Sequence, residues 1–124
     1  MKKTNILIAK FDGYARVVDD GGIQIYENKE GQMYDANGLK YHESWDWLMP
    51  IVEKIESELD KNNACKYNIT IIQSFVEIIE NHTSEIIVEL DMDDKINAVY
   101  ASVIAFIEWY NKFEKKDGNI RNEK

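Results

Sequence analysis

Ten consecutive residues, Tyr41-His42-Glu43-Ser44-Trp45-Asp46-Trp47-Leu48-Met49-Pro50, hold two of the three tryptophans, one of the two histidines and the only proline. Their chemistry suits recognition, because indole and phenol faces stack on a flat base or anchor a protein loop. Tyr41, His42, Trp45, Asp46 and Trp47, with Lys40 just before them, form the candidate ligand-binding set. Free N–H groups at the start of a following helix would add donors for an anion. The competing role is structural. A tryptophan can plug a junction between helix and sheet while Ser44 and Asp46 satisfy the helix start. Both roles hold together if one tryptophan faces inward and the other outward.

No catalytic or metal-binding set accompanies this cluster. His42 and His82 lie forty residues apart, outside any HxxxH, HExxH or CxxC spacing. Asp91, Asp93 and Asp94 have the carboxylate density that hard cations favour, but not the glycine and final glutamate of a calcium loop. A helix cap explains them better. Cys65 precedes Lys66, and no histidine can be placed beside it from spacing. GxSxG, Walker and GxGxxG patterns are absent, and Asp20-Gly21-Gly22 reads as a turn because a strand follows it. Among 23 acidic residues some pair will lie close in any fold, and none stands out. The expectation is a non-enzymatic protein with no cofactor and no metal.

The totals set the frame. Against 15 basic residues the acids leave a net charge of −8, and arginine occurs only at Arg16 and Arg121. That field repels a polyanion, which argues against direct nucleic-acid binding and suits a basic partner. A single cysteine excludes an internal disulfide framework and fits a reducing, cytoplasmic setting. The apolar run Ile6-Leu7-Ile8-Ala9 is broken by Lys10 and Asp12, too short for a signal peptide or a membrane span.

Several elements must position the cluster. Thr4 is placed to cap a short helix over residues 5–12, with Ile6, Leu7, Ala9 and Phe11 to bury and Gly13 as its stop. Asp19-Asp20-Gly21-Gly22 turns into a strand at residues 23–25, and Asn28-Lys29-Glu30-Gly31 loops to a second near 32–35. Leu48, Ile51, Val52, Ile55 and Leu59 then fall at i, i+3, i+4, i+7 and i+11, the stripe of a helix ended by Lys61-Asn62-Asn63. Pro50 leaves two starts open: near Met49-Pro50, or earlier at Ser44 with the proline inside. Tyr67, Ile69 and Ile71 alternate with polar residues, and Phe75–Glu80 and 85–90 flank the turn Asn81-His82-Thr83-Ser84, giving three antiparallel strands.

The longest helix covers about residues 94–115, opened by the acidic run. Ile96, Val99, Tyr100, Val103, Ile107 and Tyr110 form its core stripe, broadened by Ala98, Phe106 and Trp109. Trp109, one position past the stripe, is a candidate homo-oligomer contact. The resulting class is α+β, with an antiparallel sheet of about five short strands and two long amphipathic helices on one face. The expected order is α-β-β-α-β-β-β-α in a single domain over 1–116, followed by a flexible tail at 117–124.

The run from Leu39 through Tyr41-His42-Glu43-Ser44-Trp45-Asp46-Trp47-Leu48-Met49-Pro50-Ile51-Val52-Glu53-Lys54-Ile55-Glu56 resembles a group of small phage- and prophage-encoded proteins. Their shared core reads Y-x-x-S-W-D-W-L-M-P-V-V-E-K-I-E. The later Lys95-Ile96-Asn97-Ala98-Val99-Tyr100 and Val103-Ile104-Ala105-Phe106-Ile107-Glu108-Trp109-Tyr110-Asn111 are similar to their C-terminal helix. The two blocks cover about a third of the chain. The resemblance implies a viral accessory role and carries over no catalytic or binding residue. Such proteins often act against host defence. The expected ligand is a small nucleotide-derived immune signal, its phosphates held by Lys40, Lys66 or backbone N–H groups. The rivals are an acidic inhibitor of a host defence protein and a structural phage component.

Overall fold

The computed structural model describes residues 2–18 and 21–114 of the 124. Helix α1 (Lys2–Phe11) leads into strands β1 (Ala15–Val18), β2 (Gln24–Glu27) and β3 (Met33–Tyr34). A 3-10 turn (Ala36–Gly38) precedes helix α2 (Trp45–Glu56). Strands β4 (Tyr67–Ile72), β5 (Phe75–Glu80) and β6 (Glu85–Asp91) follow, then helix α3 (Lys95–Trp109), extended by a π turn over Tyr110–Glu114. The α+β class holds, but the order is α-β-β-β-α-β-β-β-α. The strands form two three-stranded antiparallel sheets, β1-β2-β3 and β4-β5-β6, in place of one sheet of about five.

The additional strand is β1. All four of its residues are exposed, so no alternation marks it in the sequence. It pairs with β2 in antiparallel register from Ala15↔Glu27 to Val18↔Gln24. Gly13 stops α1 as its type predicts. At φ +95 it closes a Schellman cap, with Tyr14 N bonded to Ala9 O at 2.9 Å and Gly13 N to Lys10 O at 3.2 Å. Thr4 is not the N-cap, since the helix already runs at Lys2.

The second sheet is the floor of the core. Tyr67, Val76, Ile78 and Val88 face inward from it, covered by α2 over β4 and by α3 over β5 and β6. Its turns lie where the polar breaks were expected, and Gln73 and Ser84 adopt positive φ there. Leu48, Ile51, Val52 and Ile55 of α2 are buried as the stripe requires. Leu59 is not. The helix ends at Glu56, and Leu59 is exposed in an isolated bridge with Cys65. The loop that stops it is built on Asp60, whose carboxylate accepts from Asn62 N at 2.8 Å and Ala64 N at 3.0 Å. Those two N–H groups hold the Asp60 carboxyl below its ordinary range. Asp91 closes β6 and Asp94 caps α3 by accepting from Asn97 N, so the acidic run serves two elements.

Helix α3 also hides a polar side chain that the periodicity gave no reason to expect. Ser102 is 1% exposed, and its hydroxyl has no hydrogen-bond partner among the described residues. Ser102→Ala removes an unpaired buried group and improves helix propensity, so denaturant unfolding should show a gain of about 1 kcal/mol. A loss would mean that the hydroxyl is paired after all. Among the described residues no helix is long and apolar enough to cross a membrane. The expected tail at 117–124, and the end of the 94–115 helix beyond Glu114, lie outside the described residues.

Candidate functional site

A cleft of about 580 Å³ opens between the first sheet and the N-terminal half of α2. This lies within the range of small-molecule pockets. The helix contributes Asp46, Trp47, Pro50 and Lys54, which share a face because positions three or four apart in a helix stack one above another. The end of α1 contributes Asp12, and the cap after Gly13 aims Tyr14 into the same space. Tyr34 comes from β3 and Tyr41 from the segment before α2.

Four aromatic rings are the main feature. Trp47 meets Tyr34 edge-to-face at 5.0 Å and Tyr41 at 5.2 Å, while Tyr14 and Tyr34 lie 6.4 Å apart with a 40° tilt. The hairpin loop at the rim is held by Asn28. Its Oδ1 accepts from Glu30 N at 3.1 Å and Gln32 N at 2.9 Å, and its Nδ2 donates to Gln32 Oε1 at 2.8 Å.

The Tyr41 hydroxyl donates to Asp12 Oδ2 at 3.2 Å. Burial pushes the Asp12 carboxyl above its ordinary value of 3.8, against the opposing pull of Tyr41, Lys54 and Lys29, and Glu30 adds to the rise. Burial and the nearby Asp12 charge raise the Tyr41 phenol far above the usual tyrosine range, so it stays a neutral donor. Lys54 is partly committed, donating to Phe11 O at 2.8 Å with its ammonium 5.3 Å over the Phe11 ring.

A pH effect follows. The folded protein holds the Asp12 proton more tightly than the unfolded chain does. Stability is therefore lost as pH rises from 3.8 through the raised folded-state value. Asp12→Asn removes that loss while an amide oxygen can still accept from Tyr41. The variant should melt above the parent at neutral pH, and the gap should close as pH falls towards 3.8. Melting curves between pH 8 and pH 4 check this, and a gap that widens on acidification would contradict it.

The six candidate residues do not form one site. Tyr41, Asp46 and Trp47 line the cleft. Trp45 is 38% exposed on another side of α2, beside Met49, Ile71 and Lys95. His42 and Lys40 border a separate depression. Lys40 forms a surface ion pair with Glu43 at 3.4 Å. Lys66, the other expected phosphate holder, is bound to Glu114 at 2.9 Å. Lys29 and Lys54 are the lysines at the cleft.

His42 serves the core. Its Nδ1 accepts from Asn5 Nδ2 at 2.9 Å, which places the ring proton on Nε2, 3.6 Å from Glu43 Oε2. Asn5 is 2% exposed and also donates to Leu39 O at 3.1 Å, while its Oδ1 accepts from the Tyr100 hydroxyl at 2.9 Å. Because that hydroxyl spends its proton on Asn5, Thr4 donates to Tyr100 in turn.

Asp12, Tyr14, Tyr34 and Lys54 were not among the expected residues. For Lys54 a signal existed, since Asp46, Pro50 and Lys54 recur every four residues. The others arrive from separate segments and meet only through packing. No protein-family profile, no curated protein and no solved structure matches the chain.

Proposed function

We propose that this is a non-enzymatic binding protein that holds a small nucleotide-derived ligand in the cleft between the first sheet and α2. The likeness of the Trp45-Asp46-Trp47 block to phage-encoded proteins makes its role counter-defence, by sequestering a host immune signal in the bacterial cytoplasm. The observation that carries this reading is the aromatic wall of the half-buried Tyr14, Tyr34 and Trp47, backed by the buried Tyr41, which offers ring surface to a flat base. Lys29 supplies a cation at the rim for a phosphate. The test is incubation with 3′,5′-cyclic nucleotides, cyclic dinucleotides and cyclic ADP-ribose isomers, followed by melting and heat release. A raised Tm with intact ligand recovered supports sequestration. Unchanged melting across the panel would sink it, and ligand recovered in altered form would make the protein an enzyme.

A second reading, an acidic inhibitor of a host defence protein, has its own observation. On the outer face of the second sheet Glu77 lies directly opposite Glu89, a destabilising like-charge pair. Neither makes an ion pair among the described residues, and exposed Ile72 and Ile86 share the sheet's open side. A basic partner surface would relieve that repulsion. Glu89→Lys separates the readings: it should abolish counter-defence under the second and leave it intact under the first.

A further inference from the structure

We infer that Asp12 selects the base of the ligand, favouring guanine, whose pairing edge presents two adjacent N–H donors. This rests on the reading of the cleft as a nucleotide site and names which nucleotide it takes. Tyr41 has one proton and gives it to Asp12 Oδ2, so this hydroxyl has none left for a ligand. Asn28 gives one of its two amide N–H groups to Gln32, and Lys54 gives one of its three to Phe11 O, so both keep donors for the ligand's phosphate or carbonyl oxygens. The carboxylates of Asp12, Glu30 and Asp46 remain as acceptors at the cleft.

Of the three, Asp12 is the half-buried one, at the end of α1 where the Schellman cap fixes the backbone. Its Oδ1 accepts no hydrogen bond among the described residues, and the aromatic wall stands beside it. Guanine offers N1–H and the N2 amine side by side, a pair that a carboxylate accepts together. Hypoxanthine keeps N1–H and lacks the amine. Adenine sets the N1 lone pair against the carboxylate and retains one donor at N6. Uracil flanks a single N–H with two carbonyl oxygens. The expected order at Asp12 is guanine, then hypoxanthine, then adenine. Partial burial leaves this carboxylate less well solvated than in the unfolded chain, so a donor pair replaces part of the lost hydration.

Titration calorimetry with the 3′,5′-cyclic monophosphates of guanosine, inosine and adenosine tests this. Cyclic GMP is expected to bind at least about tenfold tighter than cyclic IMP, with cyclic AMP weaker still. Asp12→Asn should bring cyclic GMP down to the level of cyclic IMP while the variant keeps its circular dichroism spectrum. If none of the three binds the parent protein, the nucleotide reading of the cleft falls and this inference with it. Equal binding of all three, or a guanine preference that survives Asp12→Asn, would leave the nucleotide reading standing and overturn the role of Asp12.

Discussion

Asn5→Leu is expected to destabilise the protein by about 3–5 kcal/mol, from three groups orphaned at once. Leucine matches asparagine roughly in size, so packing is not what is lost. What is lost is a donor to Leu39 O, a donor to His42 Nδ1 and an acceptor for the Tyr100 hydroxyl, around a side chain only 2% exposed. Each unpaired buried group costs about 1–3 kcal/mol, and partial rearrangement keeps the total below the simple sum. His42→Phe removes one acceptor and leaves one Asn5 N–H unpaired, so its cost should be distinctly smaller. Urea unfolding of the three proteins measures the difference. An Asn5→Leu loss under 1 kcal/mol would show that the network is dispensable.

The second large effect divides the tryptophans. Trp47→Ala should cost about 3 kcal/mol, near the lower end for such truncations because Trp47 is half-buried. It would strip the edge-to-face partner from both Tyr34 and Tyr41 and open the cleft wall. Trp45→Ala, from a side chain 38% exposed, should cost about 1 kcal/mol or less. Ligand binding should follow the same division, lost with Trp47→Ala and kept with Trp45→Ala. Trp47→Phe, which keeps an aromatic ring in the wall, should recover part of both stability and binding. Equal losses from the two alanine variants would refute the assignment of Trp47 to the cleft and Trp45 to the outer surface.

That the two tryptophans diverge follows from spacing, but which of them faces the cleft was not legible. Two residues along a helix are turned by about 200°, so Trp45 and Trp47 cannot share a face once Ser44 starts the helix. The position of the start was open too, because Pro50 allowed two. The strands of the second sheet could be read for a similar reason: Tyr67, Ile69 and Ile71 alternate, and Asn81-His82-Thr83-Ser84 breaks the run. Strand β1 could not, since it has no buried side to leave a pattern. Leu59 misled because helical period alone carries no signal for the Asp60 loop that interrupts it. Asn5 gave no warning either. An asparagine in an amphipathic stretch reads as solvated, and its three partners are 34, 37 and 95 residues away. Asp12, Tyr14 and Tyr34 joined the cleft for the same reason, brought in by tertiary packing rather than by spacing.

Those long spans set an order of events. Helix α1 leaves the ribosome ahead of every partner it will need. Its tie to Tyr100 closes across 95 residues, and its tie to Leu39 requires the segment before α2 to be in place. The strands of the second sheet, joined by short turns, assemble from neighbours in the chain. Loop closure favours those local pairings first. Loop-closure entropy therefore predicts that helix α1 docks late, leaving Ile8 and Ala9, both buried in the folded protein, uncovered until then. The asparagine that ties α1 to both Leu39 and Tyr100 is thus among the last residues to find its partners.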